Sequence, residues 1–185
     1  MKITIKDMIL VSLFTALTIV GAFIKVPLGA TSLTLQFLFT ALAGIMLGSK
    51  LGALSQLIYV FIGLIGIPVF TKGGGLSYIF QPSFGYLIGF IFGSYVIGKI
   101  IESSKDVSFI KIFMASVLGL AIIYMIGVPY LYIVLKTVNK VQITMYGALK
   151  SGLLLFLPGD FIKCVVTAII GVKIVPVLKR QLSLR

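Results

Sequence analysis

The sequence predicts an all-α membrane protein: a single domain over residues 1–185, built as a bundle of six transmembrane helices. Three observations predict it. Hydrophobic residues make up 59% of the chain and charged residues 11%, where a soluble domain carries about 25% charged residues. Mean hydropathy is +1.20. The apolar residues also gather into blocks of near membrane-crossing length, separated by short connectors. Backbone polarity in lipid demands helices or a closed barrel. These blocks are too long, and too apolar on every face, for barrel strands.

The first expected span, residues 7–24, follows Lys2 and Lys6. A basic start before an apolar run resembles a signal peptide, but no A-x-A-like cleavage site follows, so an uncleaved span is expected. Ser12 and Ala16 form a small-xxx-small pair in it, as do Thr18 and Ala22. Small residues let helices approach closely, either inside the bundle or at a face that docks a membrane partner. The second span, 33–47, is short and contains Gln36. A glutamine in lipid needs a partner, which another helix or a ligand can supply. The third and fourth spans are 51–70 and 82–101. The fifth, 109–135, carries Gly127 and Pro129 and is expected to kink. The sixth, 158–178, opens with Leu157-Pro158-Gly159-Asp160-Phe161-Ile162-Lys163.

Three connectors stand out. Residues 25–32 contain Pro27 and Gly29. Residues 71–81 contain Gly73-Gly74-Gly75, flanked by Tyr78, Gln81 and Tyr86. Residues 138–157 form the longest connector, and its later part, 146–156, is apolar enough to lie along the membrane or fold back into the protein.

The net charge of +12 comes from 16 basic and four acidic residues. The cations are spread among connectors and ends rather than gathered in one basic patch, so they read as topology signals and lipid-headgroup anchors, not as a nucleic-acid surface. With six spans, one side holds Lys2, Lys6, Lys50, Lys99, Lys105, Lys111, Lys173, Lys179, Arg180 and Arg185. The other holds Lys25, Lys72, Lys136, Lys140, Lys150 and Lys163. The ten-to-six split places both termini in the cytoplasm. It also gathers the three connectors and the start of the last span at the outer face.

Catalysis finds little support. The chain has no His, and Cys164 is its only cysteine. No disulfide can form within it, and the usual zinc ligands are missing. Covalent catalysis would be left with unusual Asp or Lys chemistry. No G-x-x-x-x-G-K-[ST] pattern occurs, so ATP hydrolysis is not expected of this chain alone.

The acids are Asp7, Glu102, Asp106 and Asp160, and only Asp160 has long apolar stretches on both sides. An ionisable residue at membrane depth faces a cavity, a partner or a ligand. Asp160 and Lys163 share one helical face and present an acceptor and a donor together. The plainer alternative is that Asp160 caps its helix while Lys163 snorkels. The three glycines are either a turn or a ligand loop, and the tyrosines either an interfacial belt or a pocket wall.

Several segments together resemble the BioY family, the biotin-specific S components of energy-coupling factor (ECF) transporters. They are Val26-Pro27, Thr34-Leu35-Gln36 and Ala41-Leu42-Ala43-Gly44, then Gly66-Ile67-Pro68-Val69-Phe70 leading into Gly73-Gly74-Gly75. Gln81-Pro82-Ser83-Phe84-Gly85-Tyr86-Leu87-Ile88-Gly89-Phe90 and 157–163 complete the set. The resemblance covers nearly the whole chain in order. Two departures lie at the expected pocket edge. Lys72 precedes only three glycines, and Ser83-Phe84-Gly85-Tyr86 stands where Thr-Gly-Gly-Tyr is commoner.

The resemblance implies a six-helix S component in a prokaryotic cell membrane. Such a protein captures biotin as its transported ligand, with no cofactor, and associates with a transmembrane T component and two ATPases. Ser12 and Ala16 would then dock the T component. Asp160 would accept from ureido N–H groups, and Lys163 would donate to the ureido oxygen or fix Asp160. Lys72 and the amides of Gly73, Gly74 and Gly75 would meet the carboxylate, Tyr86 would cover the apolar ring, and Gln36 would reach the ligand. The reverse orientation, with Lys163 on the carboxylate, stays open. The rival readings are an S component for another vitamin and a stand-alone secondary transporter.

Overall fold

In the computed structural model, which describes residues 4–28, 31–104 and 106–183, helix α1 (Ile5–Phe23) starts at a capping box. Thr4 accepts from the backbone N–H of Asp7, and Asp7 accepts from that of Thr4, so two orphan donors are satisfied. Lys2, Gly29, Lys105 and Arg185, which entered the expected connectors and charge balance, lie outside the described residues, as do the side chains of Lys179 and Arg180.

The next segment corrects the all-α expectation. Strands β1 (Lys25–Leu28) and β2 (Thr31–Thr34) pair antiparallel, with Lys25 opposite Thr34 and Leu28 opposite Thr31. Val26, Thr31 and Thr34 favour strand, and the ladder satisfies backbone groups that a helix would otherwise have to satisfy. The second span therefore begins at Gln36 and not at residue 33.

Among the described residues, five stretches, rather than the six expected, are long and apolar enough to cross a membrane. They are α1, α2 (Gln36–Leu64), α3 (Phe84–Glu102), α4 (Phe109–Thr137) and the run Met145–Val177, which holds α5 (Met145–Leu149) and most of α6 (Leu157–Ser183). The expected spans 33–47 and 51–70 run together as α2, but α2 is not a straight rod. Gln36 Nε2 donates to Tyr59 OH over 2.8 Å, and Thr40 Oγ1 to Gln56 Oε1 over 3.0 Å. In a straight helix Gln36 and Tyr59 would stand about 35 Å apart. The chain doubles back at Gly48, whose φ of 82° and ψ of −178° are non-helical.

Glu102, at the end of α3, secures that turn. Its carboxylate accepts from Ser49 N at 2.8 Å and from Ser49 Oγ at 2.7 Å, at the start of the second arm. An anion there suits the orphan N–H groups and the helix dipole. A Cβ on Gly48 would collide with Glu102 Oε1.

α4 continues as helix through Pro129. Beyond it the chain folds back as α5 and a π-helical turn (Lys150–Leu154), and Ala148 and Phe156 enter the main core. Cys164 packs there as a small buried residue. On α1, Thr18 and Ala22 are buried while Ser12 and Ala16 are exposed.

Candidate ligand-binding site

The first arm of α2 ends at Gln36, about level with Tyr59 of the second arm. Its shortness leaves space inside the bundle that the β-hairpin partly covers. Residues of β2, α2, the 65–83 connector, α3, α4 and α6, with Phe156 just before α6, line a cavity of about 640 Å³, its solvent mouth included. This end of the bundle is opposite the Gly48 turn, because α3 enters beside the cavity at Ser83 and Phe84 and leaves at Glu102.

Asp160 and Lys163 sit on the cavity wall, one turn apart on α6, exposed to only 8% and 7%. They form an ion pair through Asp160 Oδ1, while Tyr124 OH donates to Oδ2. Lys163 is buried and reaches inward to Asp160 rather than extending outward as a snorkelling side chain would. Each carboxylate oxygen has accepted one bond and keeps capacity for a second, and the ammonium keeps donors to spare. The pair therefore presents an acceptor beside a donor to the cavity.

Tyr86 is fixed by two close approaches. A Cβ on Gly127 would collide with its ring, and one on Gly152 would lie 2.6 Å from its hydroxyl. That hydroxyl donates to Gly152 O over 2.7 Å, and the ring meets Tyr124 edge-on at 6.3 Å. Gln36 lines the cavity with its amide engaged on both sides: Nε2 donates to Tyr59, and Oε1 accepts from Thr34 Oγ1 at 3.0 Å.

The glycine loop is placed differently from the expectation. Lys72, Gly73, Gly74 and Gly75 are not among the cavity-lining residues, although Thr71 and Tyr78 on either side of them are. Phe70 and Gly73 pair as a tight bridge, Gly73 and Gly75 take positive φ, and Gly75 N donates to Gly63 O over 2.7 Å. The glycines let the chain turn tightly enough to aim Thr71 and Tyr78 inward. Thr71 Oγ1, Tyr78 OH and Ser83 Oγ then form a chain with links of 2.9 and 3.1 Å. Lys25 Nζ donates to Thr71 O and ties the hairpin to this loop.

Sequence reasoning missed Tyr124, Thr31, Ser32 and Phe156. Tyr124 carried a readable signal, a phenol in mid-span three residues before Gly127. The hairpin residues carried none without the strand pairing.

The sequence profile of the BioY family matches residues 1–180. A relative from Lysinibacillus sphaericus is 38% identical over 179 residues, covering 97% of this chain and 91% of its own. The Thermotoga maritima protein named biotin transporter BioY is 39% identical over 170 residues, covering 91% of this chain and 95% of its own. Among solved structures, the S-component for biotin from an ECF-type ABC transporter superposes with a TM-score of 0.79 at 28% identity, over 92% of this chain and 90% of that one. With the match running through both strands and every cavity-lining segment, the chain belongs to the BioY family.

Proposed function

We propose that this protein is the biotin-binding S component of an ECF-type importer. The observation that carries the proposal is the buried Asp160–Lys163 pair on the cavity wall of a BioY-family chain. In the cyclic urea of biotin each N–H lies beside the carbonyl, so one edge of the ring offers a donor next to an acceptor. Asp160 accepts the N–H and Lys163 donates to the oxygen, both as charge-assisted bonds in a site shielded from water. The Tyr86 ring and Phe90 cover the apolar thiophane. The valerate runs toward the Thr71 edge of the cavity, where the Thr71 and Tyr78 hydroxyls stand.

The Gly48 turn supports a count of six crossings, with the two arms of α2 as the second and third. Both termini then face the cytoplasm, in the sense of the charge bias. Uptake against a gradient is driven by two ATPases acting through a T component, which engages the exposed Ser12–Ala16 face of α1. Purified protein in detergent should bind radiolabelled biotin saturably and release it to excess cold biotin, but not to excess thiamine or riboflavin. Binding of another vitamin in its place would assign a different substrate to this cavity.

A further inference from the structure

A second cavity-lining group bears on how both sides of a cyclic urea are met. Thr31 is 7% exposed, and its hydroxyl has no hydrogen-bond partner. It lines the same cavity as Asp160 and Lys163. Its position is fixed by the hairpin: Thr31 pairs with Leu28, and Leu33, two residues on along the same strand face, packs on the first turn of α6, where a Cβ on Gly159 would lie 3.1 Å from Leu33 Cδ2. The strand therefore sets Thr31 in the cavity wall two residues from its contact with the first turn of α6. A buried hydroxyl without a partner is costly, and such a group needs an explanation.

The chemistry of the ligand supplies one. In a five-membered cyclic urea the two N–H bonds diverge on either side of the carbonyl. The Asp160–Lys163 pair can satisfy the oxygen and the N–H on its own side. The far N–H points away from that pair and requires a separate acceptor. Thr31 is the cavity-lining hydroxyl that is both buried and without a partner among the described residues; Tyr124 is bonded to Asp160, Tyr86 to Gly152, and Thr71, Tyr78 and Ser83 to one another. We propose that Thr31 Oγ1 accepts the second ureido N–H and so makes the site specific for an intact cyclic urea. This rests on the biotin reading above and adds the group that distinguishes urea from carbamate.

The test uses full-length protein in detergent and four ligands: biotin, biotinol, and the two carbamate analogues in which one or the other ureido N–H is replaced by ring oxygen. Thr31→Val should weaken biotin binding about five- to tenfold, the scale of one neutral hydrogen bond. It should weaken biotinol equally, since the carboxylate is not involved. Against one carbamate isomer the substitution should cost less than about twofold, because the N–H it serves is already gone; against the other it should keep its full cost. Thr31→Ser should restore most of the affinity. The thermal midpoint of ligand-free Thr31→Val should equal or exceed that of the wild type, because no protein bond is lost. Equal penalties against biotin and both carbamates would overturn the proposal, as would a penalty that vanishes with biotinol. Failure of the wild type to bind biotin would remove the biotin reading itself and this inference with it.

Discussion

Asp160 and Lys163 are each other's partner as well as candidate ligand groups, so their removal carries two consequences. Asp160→Asn keeps the shape but loses the charge that holds Lys163, and Lys163→Ala leaves a carboxylate buried beside Tyr124. A hydrogen bond to a charged group is worth roughly 1.5–3 kcal/mol. Each substitution should therefore weaken biotin binding by at least about tenfold, near 1.4 kcal/mol, while the protein stays folded. Equilibrium binding with radiolabelled biotin checks this, and near-wild-type affinity in both variants would remove the pair from the site. Their burial on a cavity wall was legible in the sequence because charge between long apolar stretches has few uses. The placement of Lys72 was less legible. Its neighbour Thr71 lines the cavity and Lys72 does not, and a one-residue difference in aim is set by the Phe70–Gly73 bridge, which no local pattern announces.

At the scale of elements, the informative piece is the turn at Gly48. Hydropathy located two apolar blocks with a break between them, since Gly48 and Lys50 interrupt the run. It did not show that the break is a hairpin closed by Glu102, fifty-odd residues away along the chain, because that contact depends on the length of α3. The β-hairpin escaped for a related reason: strands of four residues are too short for a periodic signal. The turn makes a definite prediction. Gly48→Ala places a Cβ against Glu102 Oε1 and forces an alanine to φ 82°. Backbone strain of that kind costs about 1–3 kcal/mol, so the thermal midpoint of the detergent-solubilised protein should fall clearly. Glu102→Gln, which keeps an acceptor for Ser49, should lower it less. An unchanged midpoint in Gly48→Ala would mean that the reversal does not depend on this residue.

At the scale of the whole molecule, the cavity and the Gly48 turn lie at opposite ends of the bundle and α1 leaves one face exposed, and two experiments address them. The first concerns sidedness. With a cysteine at Ser77, an exposed position at the cavity end, and another at Ser104, just past the end of α3, a membrane-impermeant thiol reagent added to intact cells should label the first and not the second. The reverse result would invert the assignment of the termini. The second concerns energy coupling through α1. Its inner face buries Val11, Phe14, Thr15, Thr18 and Ala22, and Thr15 Oγ1 donates to Ser55 O over 3.0 Å. The outer face leaves Ile9, Leu13 and Val20 exposed around Ser12 and Ala16. A side chain added at Ala16 therefore projects away from the bundle and from the cavity. Between membrane helices, close approach depends on small residues at the contact. Ala16→Trp should leave biotin affinity and thermal stability unchanged, because neither the core nor the cavity meets position 16. Co-purification with a T component and ATP-driven uptake should both fall, because the added indole holds the partner helix away. Normal assembly and uptake in this variant would place the docking face elsewhere on the bundle. Lost biotin binding would mean instead that α1 and the cavity are mechanically linked, with the Thr15–Ser55 and Gln56–Thr18 bonds as the first contacts to examine.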